Sequence, residues 1–85
     1  MTKTITLEFP VQLADRQLTE VTIRRPIMRD MLKHKMDQHS GLAEEMALIA
    51  DLSGLVREEL ELFDTHDYEK LQTQLIRFRE SAERA

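Results

Sequence analysis

Ile5-Thr6-Leu7-Glu8-Phe9-Pro10-Val11-Gln12-Leu13, followed after a short polar stretch by Thr19-Glu20-Val21-Thr22-Ile23, decides how this chain begins to fold. Ile5, Leu7, Phe9, Val11 and Leu13 recur at every second position, which places them on one face of a strand. Ala14-Asp15-Arg16-Gln17 is polar and short, as a hairpin turn requires. Thr19, Val21 and Ile23 then resume the alternation, so residues 4–24 read as a β-hairpin. Pro10 has no amide hydrogen, so it should face the free edge or mark a bulge. Two strands alone are marginal in water. The apolar face must therefore lie on helices or on a partner's sheet.

Downstream the period changes from two to that of helices. Arg25-Pro26 punctuates the chain, because the residue before proline avoids the helical region and proline suits a first helical turn. A helix is expected over 26–38, with Met28, Met31, Leu32 and Met36 as its apolar stripe and Ile27 beside it. His39-Ser40-Gly41 breaks the pattern. A second helix is expected over 42–52, with Ser40 as N-cap, Glu44 and Glu45 early, Leu42, Met46, Ile49 and Ala50 on one face, and Gly54 after its end. A short third helix over 56–62 should turn Val56, Leu60 and Phe63 inward. Asp64-Thr65 caps a last helix over 66–83, whose core stripe is Tyr68, Leu71, Leu75 and Phe78, widened by Ile76. Its final residues are expected to fray. The expected architecture is α+β: an N-terminal hairpin followed by three to four short helices in one small domain.

Composition bounds what such a domain does. The chain has 85 residues, so two domains would each be too small to sustain a core. It is 41% apolar and 33% charged, the balance of an ordinary folded domain. With no cysteine, disulfides, thiolate chemistry and cysteine-based zinc sites are excluded, and the expected setting is cytosolic. Residues 1–9 hold no continuous apolar segment and do not read as a signal peptide. No apolar run approaches the roughly 18 residues that cross a bilayer. Net charge is −4 and uneven: residues 1–40 carry seven basic and five acidic side chains, residues 41–85 five and eleven. That asymmetry suits contact with other proteins, or with copies of the same chain head to tail.

Catalytic motifs are missing. Gly41 and Gly54 are the only glycines, too few for a phosphate loop. His34, His39 and His66 are not spaced as helical metal ligands, so no metal or cofactor is expected. Met28, Met31, Met36 and Met46 read either as core filling or as an adaptable groove for a partner helix. The basic cluster Arg24, Arg25, Arg29, Lys33 and Lys35 reads as a solvated helix face, a nucleic-acid patch, or a dock for an acidic protein surface. Asp30 would pair with Arg25, Arg29 or Lys33. Ala50 and Gly54 before a short helix mimic a helix-turn-helix, but residues 56–62 set Arg57 against Glu58, Glu59 and Glu61, which duplex phosphates would repel.

Several strings resemble one family. Thr4-Ile5-Thr6-Leu7 through Pro10-Val11, then Leu18-Thr19-Glu20-Val21-Thr22-Ile23-Arg24-Arg25-Pro26 and Arg29-Asp30, resemble the N-terminal half of small tail assembly chaperones of Mu-like and other contractile-tailed bacteriophages and prophages. The run Ala47-Leu48-Ile49-Ala50-Asp51-Leu52-Ser53-Gly54 continues the likeness, as do Leu62, Asp67-Tyr68 and Leu71-Gln72. Residues 34–40 depart from it, as a variable loop would.

The resemblance implies a chaperone that coats the tape measure protein, keeps it soluble, and helps recruit tail tube subunits. It places the protein in the host bacterial cytoplasm and outside the mature virion. It adds a frameshift-extended form of the chain to the partners. The uneven charge adds homo-oligomers, and with a net charge of −4 and no long apolar run neither nucleic acid nor membrane is expected among them. Arg24, Arg25, Pro26, Arg29 and Asp30 are the candidate protein-binding residues. Two competing readings are a small helix-turn-helix-like DNA-binding regulator and a structural tail or baseplate component.

Overall fold

Pro10 shapes the start of the fold. Lacking an amide hydrogen, it cannot complete a regular ladder. In the computed structural model, which describes residues 1–80, β1 (Thr2–Gln12) and β2 (Gln17–Arg24) form a two-stranded antiparallel sheet. Thr2 to Thr6 pair with Arg24 to Glu20, and the register resumes only at Val11 opposite Leu18. Between the two stretches, residues 7–10 of β1 face only Thr19 of β2, a wide bulge centred beside Pro10. The bulge rotates Phe9 out of the inner face. It is 54% exposed, whereas Leu7, Val11 and Leu13 are buried. Thr19 is likewise exposed, and half-buried Leu18 takes the inner position opposite Val11.

Four helices follow: α1 (Met28–Lys33), α2 (Leu42–Ser53), α3 (Arg57–Leu60) and α4 (Thr65–Glu80). This is the expected α+β architecture, with the hairpin laid on a helical layer. α2 lies against β2, α4 against β1, and α3 against α2. Leu7, Val11, Leu13, Val21 and Ile23 from the sheet meet Leu48, Ile49, Leu52, Leu60, Phe63, Leu71, Leu75 and Phe78 in one core. The end of the last helix expected over 66–83, and its fraying, lie outside the described residues.

Helix starts share one device. An acidic side chain one turn in reaches back to the backbone amide before the helix: Asp30 to Ile27 (2.8 Å), Glu44 to Gly41 (2.7 Å) and Glu59 to Val56 (3.0 Å). This is the returning half of a capping box. Asp64 caps α4 directly by accepting from the His66 amide at 2.8 Å. Gly54, at φ 74, closes α2 in the left-handed conformation that a side chain resists.

Several expectations fail for identifiable reasons. α1 stops at Lys33, not near 38, because Lys35 adopts φ 54 and the next residues form their own turn. In that turn the Ser40 hydroxyl accepts from the Asp37 amide at 2.6 Å, and the Asp37 carboxylate accepts from the His39 amide at 2.7 Å. Such local bonds compete with helix continuation. Ser40 is thereby spent, and Gly41 is the N-cap of α2. The short α1 also cannot bury its whole stripe, so Met28 and Leu32 stand in solvent at 71% and 74% exposure while Met31 and Met36 pack partly on the core. Leu42, Val56 and Ile76 are exposed too. The first two sit at helix starts, and Ile76 lies beside the α4 stripe on the solvent side.

Candidate partner-binding surface

Arg24, at the end of β2, meets Asp30 of α1 side-on. Nη1 donates to Oδ2 and Nη2 to Oδ1, each at 2.8 Å. The same Oδ2 accepts the Ile27 amide, so one buried carboxylate binds strand end, helix start and connection. Bidentate charge-assisted pairing of this kind is strong and directional. The Arg24 guanidinium is the main reason that the Asp30 carboxyl is held down at about 2, against the opposing effect of burial. Arg24 is raised in turn, chiefly by its bond to Asp30. Arg24, and not the expected Arg25, Arg29 or Lys33, is therefore the partner of Asp30, and Lys33 pairs elsewhere.

The five candidate residues thus divide. Arg24 and Asp30 form a scaffold clasp. Arg25 and Pro26 are half-buried in the connection, where the Arg25 amide donates to Met1 O at 3.0 Å. Arg29 is exposed. Lys33 pairs with Asp51 of α2 at 2.9 Å, and the same carboxylate meets His34 Nε2 at 2.8 Å. His34 and then Lys33 hold the Asp51 carboxyl below its ordinary range, against burial.

A second clasp has no signature in the sequence, where Asp67 is simply an acid in the first turn of a helix. It is fully buried and accepts the amides of Glu8 and Phe9, each at 2.9 Å. These are bulge amides, left without a partner on β2. Lys70, one turn on, donates to Thr6 O at 3.1 Å and lies 3.6 Å from Asp67. Burial by itself would raise the Asp67 carboxyl, but the two amides, Lys70 and His66 together hold it below the usual range. The outer edge of β1 is thereby covered at its irregular point, where an open edge invites aggregation.

An apolar groove of about 270 Å³ opens between α2, α3 and the start of α4. Leu42, Met46, Leu60, Phe63 and Tyr68 line it, with Glu61 at its rim. The Tyr68 hydroxyl donates to Glu45 at 2.9 Å, and Gln72 donates to the same oxygen at 2.8 Å. Burial and then that bond push the Tyr68 hydroxyl pKa up, so it stays a neutral donor. A second, polar groove of about 400 Å³ runs beside α4, lined by Ile5, His66, Lys70 and Arg77 among others. Among the described residues no group of three His, Cys, Asp or Glu side chains is arranged to hold a metal ion. No helix among them is long and apolar enough to cross a membrane.

The short scaffold carries two ion clasps and a shallow apolar groove, and the comparison with known families gives it its place. The family model described as phage tail assembly chaperone proteins, E, or 41 or 14, matches residues 4–79. The chain belongs to that family of phage tail assembly chaperones. No curated protein and no solved structure matches it. The matched span takes in the hairpin, both clasps and the groove.

Proposed function

We propose that this chain binds the tape measure protein during tail morphogenesis, keeps that client soluble, and helps recruit tail tube subunits to it. Membership in the tail assembly chaperone family is the observation that carries the reading. The exposed apolar surface supports it: Met28, Leu32 and Leu42 present apolar side chains beside charged neighbours, which suits a helical client while keeping the complex soluble. The role is one of binding, not catalysis. It is exercised in the host cytoplasm, ends before the virion is complete, and is shared with a frameshift-extended form of the chain.

Co-expression with segments of the tape measure protein tests this. The expected outcome is a soluble complex that co-purifies, with the segments insoluble when expressed alone. Glutamate at Arg25 and Arg29 together should abolish capture while the helical circular dichroism stays intact, if that cluster contacts the client. Finding the chain in purified virions by mass spectrometry would favour a structural tail component instead. The DNA-reader alternative is weak on geometry, since α3 is a single turn carrying Glu58 and Glu59, and its Arg57 lies 3.5 Å from Glu61.

A further inference from the structure

We propose that the exposed ridge formed by Met28 and Leu32 on α1 seats in the apolar groove between α2, α3 and α4 of a second copy, so that the chain associates head to tail. Met28 and Leu32 are four apart and share one helical face, at 71% and 74% exposure. Exposed Arg29 flanks that face, and exposed Ile27 precedes it. The groove is apolar in lining, with Leu42 60% exposed at its mouth and Glu61 at its rim.

Charge complementarity selects a second copy as the occupant. Residues 24–35 hold five basic side chains against one acid, and residues 41–69 hold nine acids against one arginine. Part of that charge is internal: Arg24 clasps Asp30, Lys33 pairs with Asp51, and on the acidic side Glu61 pairs with Arg57 and Glu59 with Arg16. Arg29 and Lys35 remain exposed on the basic side, and Glu58 and Asp64 on the acidic side. A basic apolar ridge thus matches an acidic apolar groove in the same molecule.

The two surfaces cannot meet within one chain. α1 is tied to Asp51 of α2 through Lys33 and His34, whereas Leu42 and Met46 of α2 line the groove. At about 100° per residue, Asp51 lies about 180° from Leu42 and about 140° from Met46 around the helix. Ridge and groove therefore occupy opposite sides of α2. Two different patches on opposite sides make a heterologous contact, which propagates into open chains of copies unless a rotation closes it. The contact is small, so it belongs to the weak, concentration-dependent class. It goes beyond the binding of a client, because it requires none.

Sedimentation of the purified chain tests the contact, at low salt and at about 0.5 M salt, where screening is short-ranged. Protein concentration is varied from about 10 µM to about 1 mM, the span of weak complexes. The chain should pass from monomer to larger species with concentration, and added salt should reverse this. M28E/L32E alters only the ridge and L42E only the groove. Both change exposed residues, and circular dichroism confirms that they fold. Each alone should raise the dissociation constant by about tenfold or more. Mixed in equal amounts, they should form a one-to-one dimer and nothing larger, because one intact ridge meets one intact groove.

A chain that stays monomeric throughout overturns the proposal, as do variants that associate like the parent or a mixture that stays monomeric. If the chain is monomeric yet loses client capture with L42E, the groove belongs to the client. That result ends the self-contact and leaves the chaperone reading standing.

Discussion

Asp30 and Asp67 are the two buried charged side chains among the described residues, and each accepts from donors on a different element. A buried carboxylate without partners would be strongly unfavourable, so both sites must form together with the contacts around them. Replacing Asp67 with Ala strands two amides at the bulge and should cost on the order of 2–4 kcal/mol in a denaturant titration. Asn at the same position keeps one acceptor and should lose less. Both carboxyls have folded pKa values below the ordinary one of 3.8, with Asp30 at about 2. Their stabilisation is therefore present above about pH 4 and is lost as pH falls toward about 2. Denaturation midpoints at successive acid pH values should fall over that window. Asp30→Asn should flatten the fall, leaving the remainder to Asp67 and Asp51, whose carboxyls are also held below the ordinary range.

At the scale of elements, α1 is the weakest piece. Its six residues are far short of the roughly 12 at which an isolated helix becomes marginal. It persists because Asp30 anchors its start and Asp51 its end. Substituting Met28 or Leu32 with a polar residue should thus leave folding stability within about 0.5 kcal/mol of the parent. Truncating half-buried Met31 should cost more. α2 ends on Gly54 in the left-handed conformation with open space where a Cβ would sit. Gly54→Ala meets no clash, only backbone strain, and should cost about 1 kcal/mol, read as a lower thermal midpoint.

At the scale of the whole molecule, 85 residues bury a modest share of their surface, so free stability should be small. Anything that binds the folded form then stabilises it by mass action. If copies join through ridge and groove, the thermal midpoint should rise with protein concentration for the parent chain and stay constant for M28E/L32E, as calorimetry would show.

The sequence alone determined what is local. Alternating apolar residues on both sides of a polar turn specify the hairpin, and periods near 3.6 with Asp64 and Gly54 at their ends specify helices, because these patterns act between near neighbours. The likeness of residues around Arg24-Arg25-Pro26 and Asp67-Tyr68 to the chaperone family was also legible, and the matched span of residues 4–79 agrees with it. Only the tertiary structure decided which alternating residue leaves the core, which apolar stripe stays wet, and which partner each buried acid takes. Phe9 turns out because residues 7–10 bulge against a single residue of β2. Asp67 reaches that bulge across 58 positions of chain, and Arg24 claims Asp30 from a neighbouring strand. Such pairings depend on where distant elements come to rest in space, which residue spacing along the chain does not encode.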